Sequence, residues 1–126
     1  MKNREQVIIY QPSYVHDSAI IGARSKIGCF CDISKDVIIG RYVNIQCHCS
    51  ISTGVHIDDG CFIAPGVRIL NDKMMNGMLQ PPHIGKHCRI GGNVLILPDV
   101  TIGDNCFIGA GLKVTKSLPN GSIVTK

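Results

Sequence analysis

Residues 33–51 read Ile33-Ser34-Lys35-Asp36-Val37-Ile38-Ile39-Gly40-Arg41-Tyr42-Val43-Asn44-Ile45-Gln46-Cys47-His48-Cys49-Ser50-Ile51. An isoleucine returns every six residues, and two residues before each stands a small apolar residue. Extended outward, the series runs Ile9, Val15, Ile21, Ile27, Ile33, Ile39, Ile45, Ile51, Ile57, Ile63 and Ile69, then resumes at Ile84, Ile90, Ile96, Ile102, Ile108 and Val114. A short fixed period over a whole chain marks a solenoid in which each repeat buries its apolar residue against the next. One interval breaks the period, the 15-residue step from Ile69 to Ile84. A regular coil carries such an insertion when the loop has a function of its own.

Composition agrees with a narrow core. The chain has 126 residues, one domain's worth, with no Trp and 5% aromatics. Ile and Val therefore fill the interior. The net charge of +4 is spread over mixed signs. It favours anionic ligands weakly, and no basic run or nucleic-acid motif accompanies it. No apolar stretch reaches membrane-spanning length. The N-terminus, Met1-Lys2-Asn3-Arg4-Glu5-Gln6, lacks the apolar region of a signal peptide, so a cytoplasmic protein is expected.

Seven cysteines would ordinarily raise disulfides or zinc. The period sorts them differently. Cys31, Cys49, Cys61, Cys88 and Cys106 fall two before an Ile, in the inward register shared with Ala19, Ser25, Val37 and Val43. A buried free cysteine behaves as a small hydrophobe. Cys29 and Cys47 fall two after an Ile, at turns, and 18 residues apart. Their stacking would suit a disulfide geometrically, but a reducing cytosol keeps them thiols.

Two inward residues flanking one outward residue are strand alternation. Three turn residues follow, as in Gly22-Ala23-Arg24 and Gly103-Asp104-Asn105. Three flat sides per coil give an 18-residue repeat with equivalent residues about 4.8 Å apart. The expectation is an all-β, single-stranded parallel β-helix of triangular section. It has five to six coils, one domain over residues 1–126 and one loop insertion at 70–83. The period does not set the handedness.

Ile or Val followed by Gly and four variable residues resembles the hexapeptide-repeat acyltransferases over nearly the whole chain. Their fold is a left-handed parallel β-helix, an exception to the right-handed crossover rule. More specific stretches are Ile63-Ala64-Pro65-Gly66-Val67-Arg68-Ile69-Leu70-Asn71-Asp72-Lys73, Ile90-Gly91-Gly92-Asn93-Val94-Leu95-Ile96-Leu97-Pro98-Asp99, Ile108-Gly109-Ala110-Gly111 and Val114-Thr115-Lys116. These resemble N-acetyltransferases acting on nucleotide-linked amino sugars in surface polysaccharide biosynthesis. The resemblance implies acetyl-CoA as co-substrate and a homotrimer with sites between subunits. It places the pantetheine arm along the glycine-rich turns, so Gly92, Asn93 and Ala110 are expected to bind the coenzyme, with Lys116 near its phosphates. It also implies that the loop reaches a neighbouring chain, with Asn71, Asp72, Lys73 and Gln46 meeting the sugar. Outward Ile20 and Ile38, 18 apart, point to a covered side compatible with oligomerisation.

Acetyl transfer to an amine needs a neutral nucleophile and a donor for the oxyanion. His48 shares the turn column of Asn93, roughly 10 Å away along the axis at the strand spacing. It is one candidate base. Asp72 is the other, or else it orients the amino sugar. Transfer to a sugar hydroxyl is the near alternative. A zinc hydratase like the γ-class carbonic anhydrases, which share the fold, would need His48, His83 and His87 to converge. Their registers separate them, so no metal site is expected. A non-catalytic module of a larger protein is the last alternative. The family usually continues past Ile123-Val124 with a Gly-Asn-Pro-Ala-type segment, which this sequence lacks.

Overall fold

Every isoleucine of the period closes a two-residue strand, and among the described residues eighteen two-residue strands wind into a parallel solenoid of about six turns with no helix. The computed structural model describes residues 4–126. The first side stacks seven strands: Ile8–Ile9, Lys26–Ile27, Asn44–Ile45, Phe62–Ile63, Arg89–Ile90, Phe107–Ile108 and Ile123–Val124. The second side stacks six, from Tyr14–Val15 to Lys113–Val114. The third stacks five: Ile20–Ile21, Ile38–Ile39, His56–Ile57, His83–Ile84 and Thr101–Ile102. Pairing is in register, with Lys26 opposite Asn44 and Ile27 opposite Ile45. Across the insertion Phe62 pairs with Arg89, 27 residues on instead of 18. The coils on either side of the loop therefore stack as if it were absent.

Strands are one residue shorter than the alternation predicts. At Ala19, Val55 and Val94 the inward residue turns its amide back to its own corner, as Ala19 N–H does to the His16 carbonyl at 3.0 Å, whereas Cys31 and Val43 donate to the hydroxyls of Ser13 and Ser25. The inward carbonyl still accepts from the coil before, as Val43 does from Lys26 at 2.9 Å.

The interior is the predicted ladder. Ile27, Ile33, Ile39, Ile45, Ile51 and Ile57 are fully buried, and so are Ile63, Ile69, Ile84, Ile90, Ile96 and Ile102. Each contributes about 1.5–3 kcal/mol of apolar burial. The inward cysteines do more than fill space. Cys31, Cys49, Cys61, Cys88 and Cys106 each direct the thiol at a corner carbonyl of the following coil, for example Cys61 to Gly85 at 2.9 Å and Cys88 to Gly103 at 3.0 Å. Ser25, buried in the same register, does so with its hydroxyl, 2.8 Å from the Gly40 carbonyl. The adjoining Cys31 thiol and then burial push the Cys49 thiol up, and Cys88 and burial do the same for Cys61. Both stay protonated as donors. Cys29 and Cys47 stack at the surface as free thiols with Sγ atoms 3.3 Å apart.

The corners form three columns. The last residue of most corners has positive φ, including non-glycines such as Phe30, Tyr42, His48 and Asn93. Such a conformation is costly for an L-residue. Here it is held by a bond from that residue's amide to the preceding coil, as from His48 N–H to the Cys29 carbonyl at 3.0 Å.

Candidate active site

The loop leaves the second corner column after Ile69 and returns at His83. Its ends are tied to the coils. Asn71 donates its side-chain amide to the Thr53 carbonyl at 2.9 Å. Its own carbonyl accepts from Gln80, and the Gln80 carbonyl accepts from Asp99 at 2.8 Å. Asp72 shapes the tip, one carboxylate oxygen accepting from Asn76 N–H at 3.1 Å and the other from Gly77 N–H at 2.8 Å. Met74, Met75 and Met78 are left in solvent, Met75 at 88% exposure. Beneath the loop lies a cleft of about 310 Å³. Leu70, Asp72, Lys73 and Met75 line it from the loop, and Leu97, Pro98, Asp99 and Thr115 from the next two coils. Of the residues expected to meet a sugar, Asp72 and Lys73 face this cleft, while Asn71 anchors the loop root. Gln46 sits at the first corner column instead, donating to Asn44 at 2.7 Å in a separate groove with Tyr10 and Lys26.

The first corner column carries the open backbone. Beside it, Phe62, Arg89 and Phe107 join Gly91, Gly109 and Ala110 around a shallow groove of about 240 Å³. The amides of Asn93 and Gly111 are used between coils, bonding to Pro65 and Gly92 carbonyls. The amides of Gly92 and Ala110 donate to no acceptor among the described residues. The third column differs: there Asp59, Asp104 and Asn120 side chains accept the amides of Arg41, Lys86 and Asp104, each at 2.8 Å.

The neighbouring glycines separate two reasons for being glycine. A Cβ on Gly91 would lie 2.5 Å from the Ala110 nitrogen, so the stacking of coils requires glycine there. A Cβ on Gly92 would meet nothing closer than the Pro65 carbonyl at 3.4 Å, and Gly92 does not have positive φ. Its bareness exposes an amide without serving the fold.

His48 lies in this same column, stacked on Phe30 with ring centroids 5.1 Å apart and planes at 9°. Neither ring nitrogen has a protein hydrogen-bond partner among the described residues. Gly66 is interposed between His48 and Asn93, its amide on the Cys47 carbonyl and its coil partner Pro65 on the Asn93 amide. Lys116 is exposed at the second column of the last full coil, in a groove with Lys113, Leu118 and Lys126. Within one chain, then, His48, Gly92, Asn93 and Ala110 share one corner, and the loop cleft and Lys116 occupy another.

The three histidines separated by register are separate in space: His48 at the first corner, His87 at the third, His83 on the third side. His83 has a partner that sequence reasoning missed. His56 stacks on it at 4.4 Å, and both rings address Asp58. The signal was present, since each histidine directly precedes an isoleucine of the period. Their 27-residue spacing hides the relation unless the loop is subtracted. Asp58 also stands at a corner position filled elsewhere in its column by Gly22, Gly40, Gly85 and Gly103.

The chain is a three-sided solenoid, interrupted once by a loop over a cleft and carrying open corner amides at Gly92 and Ala110 beside a shallow groove. The chain belongs to the bacterial transferase hexapeptide (six repeats) family, whose model matches residues 36–71 and 81–116. Nodulation protein L of Rhizobium meliloti (strain 1021) is 39% identical over 105 residues, 75% of this chain and 57% of that protein. The fold is similar to perosamine N-acetyltransferase from Caulobacter crescentus, solved with CoA and GDP-perosamine, at TM-score 0.82 and 20% identity over 94% of this chain and 53% of that one. It is also similar to the acetyltransferase domain of PglB from Neisseria gonorrhoeae FA1090 in complex with acetyl coenzyme A, at TM-score 0.57 and 24% identity over 96% of this chain and 55% of that one. The chain thus spans a little over half the length of each. No helix among the described residues is long and apolar enough to cross a membrane.

Proposed function

We propose that the chain is an acetyltransferase that moves the acetyl group of acetyl-CoA to the amine of a nucleotide-linked amino sugar, in the cytoplasm, for surface polysaccharide assembly. The observation that carries this reading is the pair of unpartnered amides at Gly92 and Ala110, beside a glycine whose missing side chain the fold does not require. A pantetheine arm offers amide carbonyls to such donors. The CoA and acetyl-CoA held by the two structural neighbours, and the GDP-perosamine held by one, support the choice of ligands.

In the reaction the amine nitrogen attacks the thioester carbon, and a corner N–H stabilises the developing oxyanion. The C–S bond breaks as the amide forms. His48, free at both ring nitrogens and in the coenzyme's column, takes the proton that the amine loses, and the departing thiolate is protonated in turn. Asp72 and Lys73 hold the acceptor, the former as partner for an ammonium or sugar hydroxyl and the latter for a phosphate. Asp72 keeps its loop-shaping bonds in that role. Because coenzyme corner and acceptor loop occupy different corners of one chain, the complete site forms between chains, with the loop of one reaching the glycine corner of the next in a homotrimer. Lys116 then approaches the coenzyme phosphates from whichever chain presents its second corner.

Calorimetry with acetyl-CoA, followed by an acetyl-transfer screen over nucleotide amino sugars, tests the reading. Binding in the micromolar range and an N-acetylated nucleotide sugar are expected. Lack of binding at millimolar coenzyme would overturn the enzyme assignment, and products acetylated only on oxygen would move the acceptor from amine to hydroxyl.

A further inference from the structure

Three side chains converge on the third side of the solenoid, at the root of the loop. His56 Nε2 stands 2.9 Å from one oxygen of Asp58, and His83 Nε2 stands 3.1 Å from the other. The imidazoles are stacked 4.4 Å apart at 12°. One ligand atom from each residue lies within 4.8 Å of the other two. Neither side chain nor backbone is left to chance. His56 and His83 are register partners on adjacent parallel strands. The His56 amide bonds to the Pro82 carbonyl at 3.2 Å, the Asp58 amide to Ile84 at 2.9 Å and the His83 amide to Val100 at 3.1 Å.

We propose that His56, Asp58 and His83 bind one divalent cation of the late first transition row, zinc first among them, with solvent completing the coordination. Two imidazoles and a carboxylate are a borderline donor set that suits zinc and its neighbours, whereas calcium and magnesium require oxygen shells. Tetrahedral bonds of about 2.0–2.1 Å place ligand atoms about 3.3 Å apart. The two N···O separations already lie close to that value, so a cation can enter between them without moving the strands, each imidazole binding it through Nε2 and carrying its one proton on Nδ1. The flanking outward residues are Ile38 on one coil and Thr101 on the other, which leaves these three as the available ligands on this face. Asp58 is exceptional for its corner column, where glycine is otherwise the rule at this step, and a metal ligand accounts for its identity. The side chains are 38%, 26% and 45% exposed for His56, Asp58 and His83 in the single chain, so all three reach its surface. The ion's effect is mechanical. It cross-links His56–Ile57, on the coil that precedes the insertion, to its paired strand His83–Ile84, on which the loop ends, fixing the point where the loop rejoins the coil.

The test uses the full chain after treatment with a chelator. Calorimetry with zinc is expected to give one saturable site per chain. Affinity should fall at least tenfold in His56→Ala, His83→Ala and Asp58→Asn, and remain unchanged in the Cys29→Ser/Cys47→Ser double variant. Zinc should raise the Tm of the parent chain and leave that of His56→Ala where it was. Cobalt bound to the parent chain should show ligand-field bands and no thiolate charge-transfer band. This spectrum decides the matter even if an alanine variant fails to fold. Absence of saturable binding at submillimolar zinc, binding indifferent to the histidine variants, or a thiolate band from the Cys29–Cys47 pair would each overturn the proposal.

Discussion

Gly91 and Gly92 are adjacent in one corner and answer to different demands. Gly91→Ala drives a methyl toward the Ala110 backbone at 2.5 Å. We expect a loss of about 1–3 kcal/mol, as for other overpacked sites, read as a lower midpoint in denaturant. Gly92→Ala meets only ordinary contact at 3.4 Å. Its stability should stay within about 0.5 kcal/mol of the parent, as for surface substitutions generally. Acetyl-CoA binding by the same variant should nevertheless weaken about tenfold, roughly 1.4 kcal/mol, as the methyl covers the open amide. If calorimetry finds the coenzyme bound as tightly as before, the first corner column is not its seat. In the sequence both are turn glycines, and only the family resemblance singles out Gly92. What distinguishes them is the backbone of the next coil, 18 residues away, which no local motif encodes. The inward cysteines teach the same lesson. Their burial was legible from register. Their donation to corner carbonyls was not, because it depends on the exact rise between coils.

At the scale of elements, the loop is an addition to a coil that closes without it. Phe62–Ile63 and Arg89–Ile90 pair across the insertion in the same register as strands 18 residues apart. Only its roots are tied, through Asn71, Gln80 and Pro82. Deletion of Met74 to Leu79 should therefore leave the circular dichroism and Tm of the solenoid intact. It should abolish transfer to the acceptor while sparing acetyl-CoA binding. A variant that fails to fold would show instead that the loop is part of the core structure. The isoleucine period gave the sides, the corners and the loop boundaries directly, since a three-sided coil with one buried residue per side permits little else. The two-residue strands follow from inward amides that bond outside the ladder, back to the corner at Ala19, Val55 and Val94 and to a serine hydroxyl at Cys31 and Val43. The His56–Asp58–His83 group escaped notice because an insertion of nine residues shifts the 18-residue relation that makes it visible.

At the scale of the whole molecule, the two halves of the proposed site face different corners. A chain carrying His48→Ala and a chain lacking Met74 to Leu79 should each be inactive alone. Unfolded together and refolded, they should recover a fraction of parental activity, because some mixed trimers pair an intact loop with an intact histidine corner. Light scattering should give three chains per particle. Recovery of no activity from a folded mixture would place both halves on one chain and contradict the shared site. The exposed Ile20 and Ile38 ladder and the loop methionines are the surfaces that such an assembly would cover.

Each coil is bonded to the coil before and the coil after, and to little else. The second corner column tolerates nine extra residues with no change of pitch above or below. That column works as a socket. Segments of other lengths and chemistries can be spliced between Ile69 and His83 while the spool and its open-amide corner stay as they are. On the proposed function, acceptor choice can then diversify by exchange of a cartridge, without renegotiating the core.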